Sequence, residues 1–180
     1  MKLVFALVVL FAGAVIYMLL GEPRYEDTLI AHFPVDSEAD LAGNAIEDAH
    51  VIDYGVSSDG NGSLRIDATR RQLVELYRVW GEEEDLSFRQ LVYEADVRTE
   101  GATGDVFLVM QAGITSVPGG SMSVVGRDAA IRGTNDWTTL QAKAGNPGGS
   151  HLLEATLQLH IDGPGTVWID DVKLIKRQTL

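Results

Sequence analysis

Near the C-terminus the run GPGTVWIDDVKL, residues 163–174, sets two adjacent carboxylates, Asp170 and Asp171, behind Trp168. Such a pair can do acid–base chemistry, clip a cation, or simply solvate the outer side of a last strand. Calcium takes about six to eight oxygens at roughly 2.4 Å, so two neighbouring aspartates make no site alone. As strand neighbours they also point to opposite faces unless a bulge intervenes. Upstream, Asp59-Gly60-Asn61-Gly62-Ser63 has the opening of a calcium loop, but Arg70 occupies the position where that loop places its bidentate glutamate. A tight hairpin turn accounts for these residues better.

Three tryptophans could act as platforms, since an aromatic face stacks on the apolar face of a sugar ring while nearby polar groups read its hydroxyls. Trp137 and Trp168 fall within strand patterns and are expected to pack inside. Trp80 ends a strand beside the charged run GEEED, so Trp80 and Tyr77 are the candidate exposed aromatic pair for ligand binding. The run Glu82 to Asp85 reads as a solvated loop. No nucleophile elbow, phosphate loop, zinc-helix motif or dinucleotide fingerprint occurs. His32, His50, His151 and His160 are scattered without metal-ligand spacing. Paired carboxylates abound in so acidic a chain and nominate no glycosidase site. Catalysis is not expected.

The elements that would position these residues are strands. In LVYEADVRT, Leu91, Tyr93, Ala95 and Val97 alternate with Val92, Glu94, Asp96 and Arg98. ATLQLHID repeats the pattern, with Ala155, Leu157, Leu159 and Ile161 inward and Thr156, Gln158, His160 and Asp162 outward. Further strands are expected at 63–68, 72–79, 105–112, 121–127, 136–144 and 166–175. Between them SSDGNGS, TEGATG, SVPGG, GNPGGS and DGPG are rich in residues that tolerate turn geometries. About eight short strands at this spacing predict an all-β, antiparallel sandwich. Residues 34–50 lack a clean period and read as an acidic loop with a short helical turn.

Composition narrows the partners. With 26 acidic against 14 basic residues the net charge is −12, a field that repels phosphate backbones, so nucleic acid is not expected. The absence of cysteine excludes disulfides, thiolate metal sites, thiol catalysis and lipidation at cysteine.

Residues 3–20, LVFALVVLFAGAVIYMLL, carry no charge and as a helix would rise about 27 Å, close to the thickness of the hydrocarbon core. A signal anchor is expected over residues 1–21. The rival is a cleaved signal peptide ending near Ala12-Gly13-Ala14, but VIYMLL extends the apolar run beyond that point. Lys2 before the span and Glu22, Arg24, Glu26 and Asp27 after it favour a cytoplasmic N-terminus. The folded part is then extracytoplasmic, and periplasmic in a Gram-negative host. Asn61-Gly62-Ser63 is a glycosylation sequon, relevant only in a eukaryotic secretory host. Residues 22–54 would form a juxtamembrane segment and the N-terminal edge of the sandwich, and residues 55–180 the sandwich itself.

The order SSDGNGSLRIDA, YEADVRTEGATGDVFLVM, GTNDWTTLQA and GTVWIDDVKL resembles the galactose-binding-like jelly roll of many carbohydrate-binding modules, over about residues 55–175. That resemblance implies a jelly-roll β-sandwich. It also implies that an aspartate of the final strand, Asp170 or Asp171, helps hold a structural calcium with an acidic residue from the N-terminal edge. The acidic residues available there are Asp36, Glu38, Asp40, Glu47 and Asp48.

Two functions follow. The first is a membrane-tethered accessory subunit that docks on a larger membrane protein complex through its helix and its sandwich. Some eight residues, Gly21 to about Thr28, would join span and domain and reach roughly 25 Å at most, which favours membrane-proximal contacts. The second is a surface carbohydrate-binding module for polysaccharide, which needs an exposed aromatic strip on a sheet face.

Overall fold

The structure is a computed structural model that describes residues 25–41, 50–81, 88–115, 120–146 and 150–179. The expected membrane segment, residues 1–21, lies outside the described residues. Among those described, no helix is long and apolar enough to cross a membrane.

Among the described residues the chain forms nine antiparallel strands: β1 (Tyr25–Phe33), β2 (His50–Ile52), β3 (Leu64–Ala68), β4 (Gln72–Trp80), β5 (Gln90–Ile114), β6 (Ser121–Val125), β7 (Ile131–Gly145), β8 (Leu152–Ile161) and β9 (Gly165–Thr179). One short helix, α1 (Glu38–Leu41), follows β1. It lies within the segment read as a loop with a helical turn.

β5 organises the molecule. Along one side its first part, Gln90–Glu100, pairs with β9, and its second part, Val106–Ile114, pairs with β8. Along the other side it pairs with β7 over Gln90–Val106 and with β6 over Val109–Gly113. The paired chains therefore turn together from one layer into the other, and a single curled sheet supplies both layers of a sandwich. One layer holds β2, β3, β1, β9, the first part of β5 and most of β7. The other holds β4, β8, the second part of β5 and β6.

The corner between the layers explains why TEGATG, expected as a turn between strands, lies inside β5, whereas DGPG does link β8 to β9. Gly101 has φ 62°, open to glycine at no steric cost. At Gly104 an added Cβ would lie 1.4 Å from the Asp162 carbonyl oxygen, so the two chains pass with no room for a side chain. The bend is absorbed inside β5, which merges the two strands expected at 91–99 and 105–112.

Side chains follow the period-two expectation. Leu91, Tyr93, Ala95 and Val97 are buried, as are Ala155, Leu157, Leu159 and Ile161, and both sets belong to one core cluster with residues of β3, β4, β7 and β9. The segment before residue 55 supplies two edge strands, β1 and β2, each paired on one side only among the described residues. β1 pairs with β9 from Tyr25↔Thr179 to Phe33↔Val172, and Arg177 donates from Nε and Nη2 to both Asp27 oxygens at 2.7 Å. Tyr25 to Thr28, expected as part of a spacer, are thus already paired in the sheet.

Asp59 to Ser63 do not form a tight turn. They end a wider loop, closed where Asp53 N–H donates to the Ser63 carbonyl at 2.8 Å, that joins β2 to β3. Within it Asn61 N–H donates to Asp59 Oδ1 at 2.9 Å, a local Asx contact.

Candidate functional site

The register of the β4–β8–β5–β6 layer gives the composition of its outer face row by row. Trp80 stands opposite Glu154, which stands opposite Gly113, which stands opposite Ser121. The next outward row is Arg78, Thr156, Gln111 and Ser123, and the next is Glu75, Gln158, Val109 and Val125. Leu73, His160 and Phe107 complete the face. The intervening residues of β8 fill the core.

Although they point away from the core, Thr156, Gln158 and His160 are less than a tenth exposed, and Val109 and Phe107 are buried too. Trp80, Leu153, Arg78, Leu73 and Val125 around them are exposed. The centre of the face is therefore a trough between taller flanks. Gln158 Oε1 and His160 Nε2 are buried in it without a hydrogen-bond partner among the described residues. Buried polar atoms of this kind call for a partner, and a bound hydroxyl group can supply one.

His160 is neutral at pH 7. Burial, then the Arg71 guanidinium nearby, hold its pKa below the ordinary imidazole value, against the pull of Asp162. Its ring stacks on Phe107, centroids 4.4 Å apart and planes 12° apart.

At the Trp80 end the trough opens into a groove of about 370 Å³, lined by Trp80, Gln111, Gly113, Ser121, Leu153 and Glu154 among others. This is within the range of small-molecule sites. Glycine at 113 matters here, because a Cβ would meet Glu154 Cγ at 3.2 Å. Trp80, 65% exposed, forms an apolar wall with Leu153, while Gln111, Thr156 and Glu154 supply hydrogen-bonding groups.

The candidate aromatic pair separates. Trp80 is on the outer face, but Tyr77, three residues earlier, is 1% exposed and packs in the core. An odd spacing along a strand puts two side chains on opposite faces, which rules Tyr77 out as an exposed platform. Trp137, expected inside, is half-buried outside the core cluster. Trp168 is buried, but not in the core cluster. The Arg65 and Arg98 guanidinium carbons each lie 5.7 Å from its ring centroid, and its Nε1–H donates to Asp53 at 3.0 Å.

Asp170 and Asp171 flank an irregularity of β9. Two β9 residues, Asp171 and Val172, face the single Ala95 of β5, and Asp171 has φ 50°. The two carboxylates consequently serve different neighbours. Asp170, 1% exposed, accepts at Oδ2 from Ser58 N–H and Oγ–H, both at 2.8 Å, and at Oδ1 from Asp171 N–H. Burial nevertheless pushes its pKa upward, the largest influence on it. Asp171 contacts His32 at 2.6 Å and Lys173, and these partners hold its pKa low against burial.

Both carboxylates are engaged by protein donors in this structure, Asp170 by Ser58 and the Asp171 N–H, and Asp171 by His32 and Lys173. Asp36 Oδ1 is buried without a hydrogen-bond partner among the described residues. Among the described residues no group of three or more His, Asp or Glu is placed to hold a metal ion.

Sequence reasoning placed Thr156, Gln158 and His160 on the outward face of their strand but did not nominate them. The available signal was their polarity on a strand whose other face is wholly aliphatic. What the sequence did not reveal was that β8 lies in the middle of its layer, beside Trp80.

No protein-family model and no curated protein matches the sequence. Solved structures do match its fold. The module pair CBM22-1–GH10 of a Clostridium thermocellum xylanase, complexed with xylohexaose, aligns with 85% of this chain at 17% identity and TM-score 0.55. This chain spans 29% of that longer protein. A family 16 carbohydrate-binding module aligns with 82% of this chain at 12% identity and TM-score 0.56, over 99% of its own length. TmCBM61 in complex with β-1,4-galactotriose aligns with 85% at 11% identity and TM-score 0.50, again over 99% of its length. The fold is thus the jelly-roll β-sandwich found in carbohydrate-binding modules.

Proposed function

We propose that the protein is a non-catalytic polysaccharide-binding module, and that the outer face of the β4–β8–β5–β6 layer is its binding surface. The observation that carries this reading is Trp80, exposed at the head of a groove whose floor offers Gln111, Thr156 and Glu154, with unpartnered Gln158 and His160 atoms beyond. A pyranose stacked on the indole would present its edge hydroxyls to that floor. The match to modules solved with xylohexaose and β-1,4-galactotriose supports the same reading.

The site resembles a binding surface more than a reaction centre. Its groups are one aromatic, amides, hydroxyls and a single carboxylate in the groove, without a second carboxylate paired to it for acid–base hydrolysis. With residues 1–21 as an anchor, the module would be held at the outer surface of a membrane. The fold likeness favours polysaccharide, the second of the two functions expected from the sequence, over the first and preferred one, an accessory subunit docking on a membrane protein complex.

Affinity electrophoresis of the full chain in mild detergent tests the proposal. Migration should be retarded in gels containing xylan, β-1,4-galactan or another soluble glycan, and Trp80→Ala should abolish the retardation with an unchanged melting temperature. Retardation that survives Trp80→Ala would move the site elsewhere, and absence of retardation across a broad glycan panel would overturn the function.

A further inference from the structure

We infer that the Trp80 groove selects a glycan bearing protonated amines, such as a chain of glucosamine units, over neutral or uronate-containing chains. This rests on the glycan-binding reading and names the class of sugar.

The cations of this face are already engaged. Arg78 donates to Glu75 at 2.9 Å, Arg71 pairs with Asp162 at 3.5 Å, and the Arg127 guanidinium carbon lies 5.2 Å from the Phe107 ring centroid. Glu154 differs. It is half-buried in the groove and has no hydrogen bond or ion pair among the described residues, because its neighbour across the β5 ladder is Gly113. Its other cross-strand neighbour is Trp80.

An indole face attracts a cation through its quadrupole, and a partly desolvated carboxylate accepts strong, charge-assisted hydrogen bonds from an ammonium group. Side by side in one groove, the two define a site for a positively charged sugar. The net charge of −12 draws such a polymer in and repels uronates. A neutral sugar can stack on Trp80, but it leaves Glu154 with only a neutral donor.

Isothermal titration of the full chain in mild detergent, at near-physiological salt, tests this with short β-1,4-glucosamine oligomers, their N-acetylated counterparts and xylo-oligosaccharides. The glucosamine oligomers should bind at least about tenfold more tightly than either neutral series, the effect of one charge-assisted hydrogen bond. Glu154→Gln, which keeps a hydrogen-bonding amide in the floor but removes the charge, should erase that preference, and Glu100→Gln, an exposed change in the other layer, should leave the preference as it is. Equal binding of charged and neutral oligomers, or a preference lost equally with Glu100→Gln, would overturn the amine selectivity and leave the glycan-binding reading in place. If no oligomer of any series binds, that reading falls and the inference with it.

Discussion

Phe33 and Tyr77 stack ring on ring, centroids 3.7 Å apart and planes 9° apart, and so join β1 to β4 between the two layers. Tyr77 is therefore a packing residue, and its hydroxyl has no partner among the described residues. Tyr77→Ala should cost about 3–5 kcal/mol of stability, as for other large aromatic truncations in cores. Tyr77→Phe removes an unsatisfied polar group and should leave the melting temperature unchanged or raised. Chemical denaturation of the two variants separates this role from ligand binding. Glycan affinity of the Phe variant should match that of the parent protein.

Asp170 ties the loop before β3 to the last strand through Ser58. Asp170→Ala removes the acceptor of two part-buried hydrogen bonds from Ser58 and should destabilise the fold by about 1–3 kcal/mol. Because Asp170 and Asp171 are already held by protein donors, a chelator should leave the melting temperature of the parent protein unchanged. A fall on adding chelator would restore the structural calcium that the sequence resemblance implies.

Stability should decrease with acidification through His160. Its folded pKa is lowered from the ordinary value of 6.5 by burial, then by Arg71. The unfolded chain therefore binds a proton more readily than the folded one. The stability gained by keeping the ring neutral is complete above about pH 6.5 and is lost as pH falls through the depressed folded value. His160→Gln should flatten that part of the stability profile. A stability curve of the parent protein that is flat from pH 7 downward would contradict the assignment.

At the corner between layers, Gly104 passes against the backbone of Asp162. Gly104→Ala should destabilise by about 3 kcal/mol or more, the upper range of overpacking, because the obstruction is backbone. Gly145 has nothing within 4 Å of an added Cβ, so Gly145→Ala is the matched control with little effect. Thermal melts of both variants compare the two positions.

Much of this architecture was legible in sequence because the strands obey a period of two. Leu91 to Val97 and Ala155 to Ile161 declare their inner faces without any tertiary knowledge. Trp80 was legible as an exposed aromatic for a local reason, its place at a strand end before a charged run. Tyr77 is close to Trp80 along the chain, but the odd spacing of three residues turns it to the opposite face. β1 was missed since its burial is slight, exposed or half-buried throughout, so its sequence carries little alternation. The trough was hidden because it depends on which strands become neighbours. Glu154, Gly113 and Trp80 lie far apart in sequence, and only the ladder brings them into one row.

The most direct test of the account is the map of backbone amide shifts when a soluble oligosaccharide that retards the protein is titrated into the isotope-labelled chain. The account predicts shifts concentrated at Trp80, Gln111, Gly113, Glu154, Thr156 and Gln158. Shifts centred instead on Tyr54, Arg65, Arg98 and Trp168, in the other layer, would contradict it.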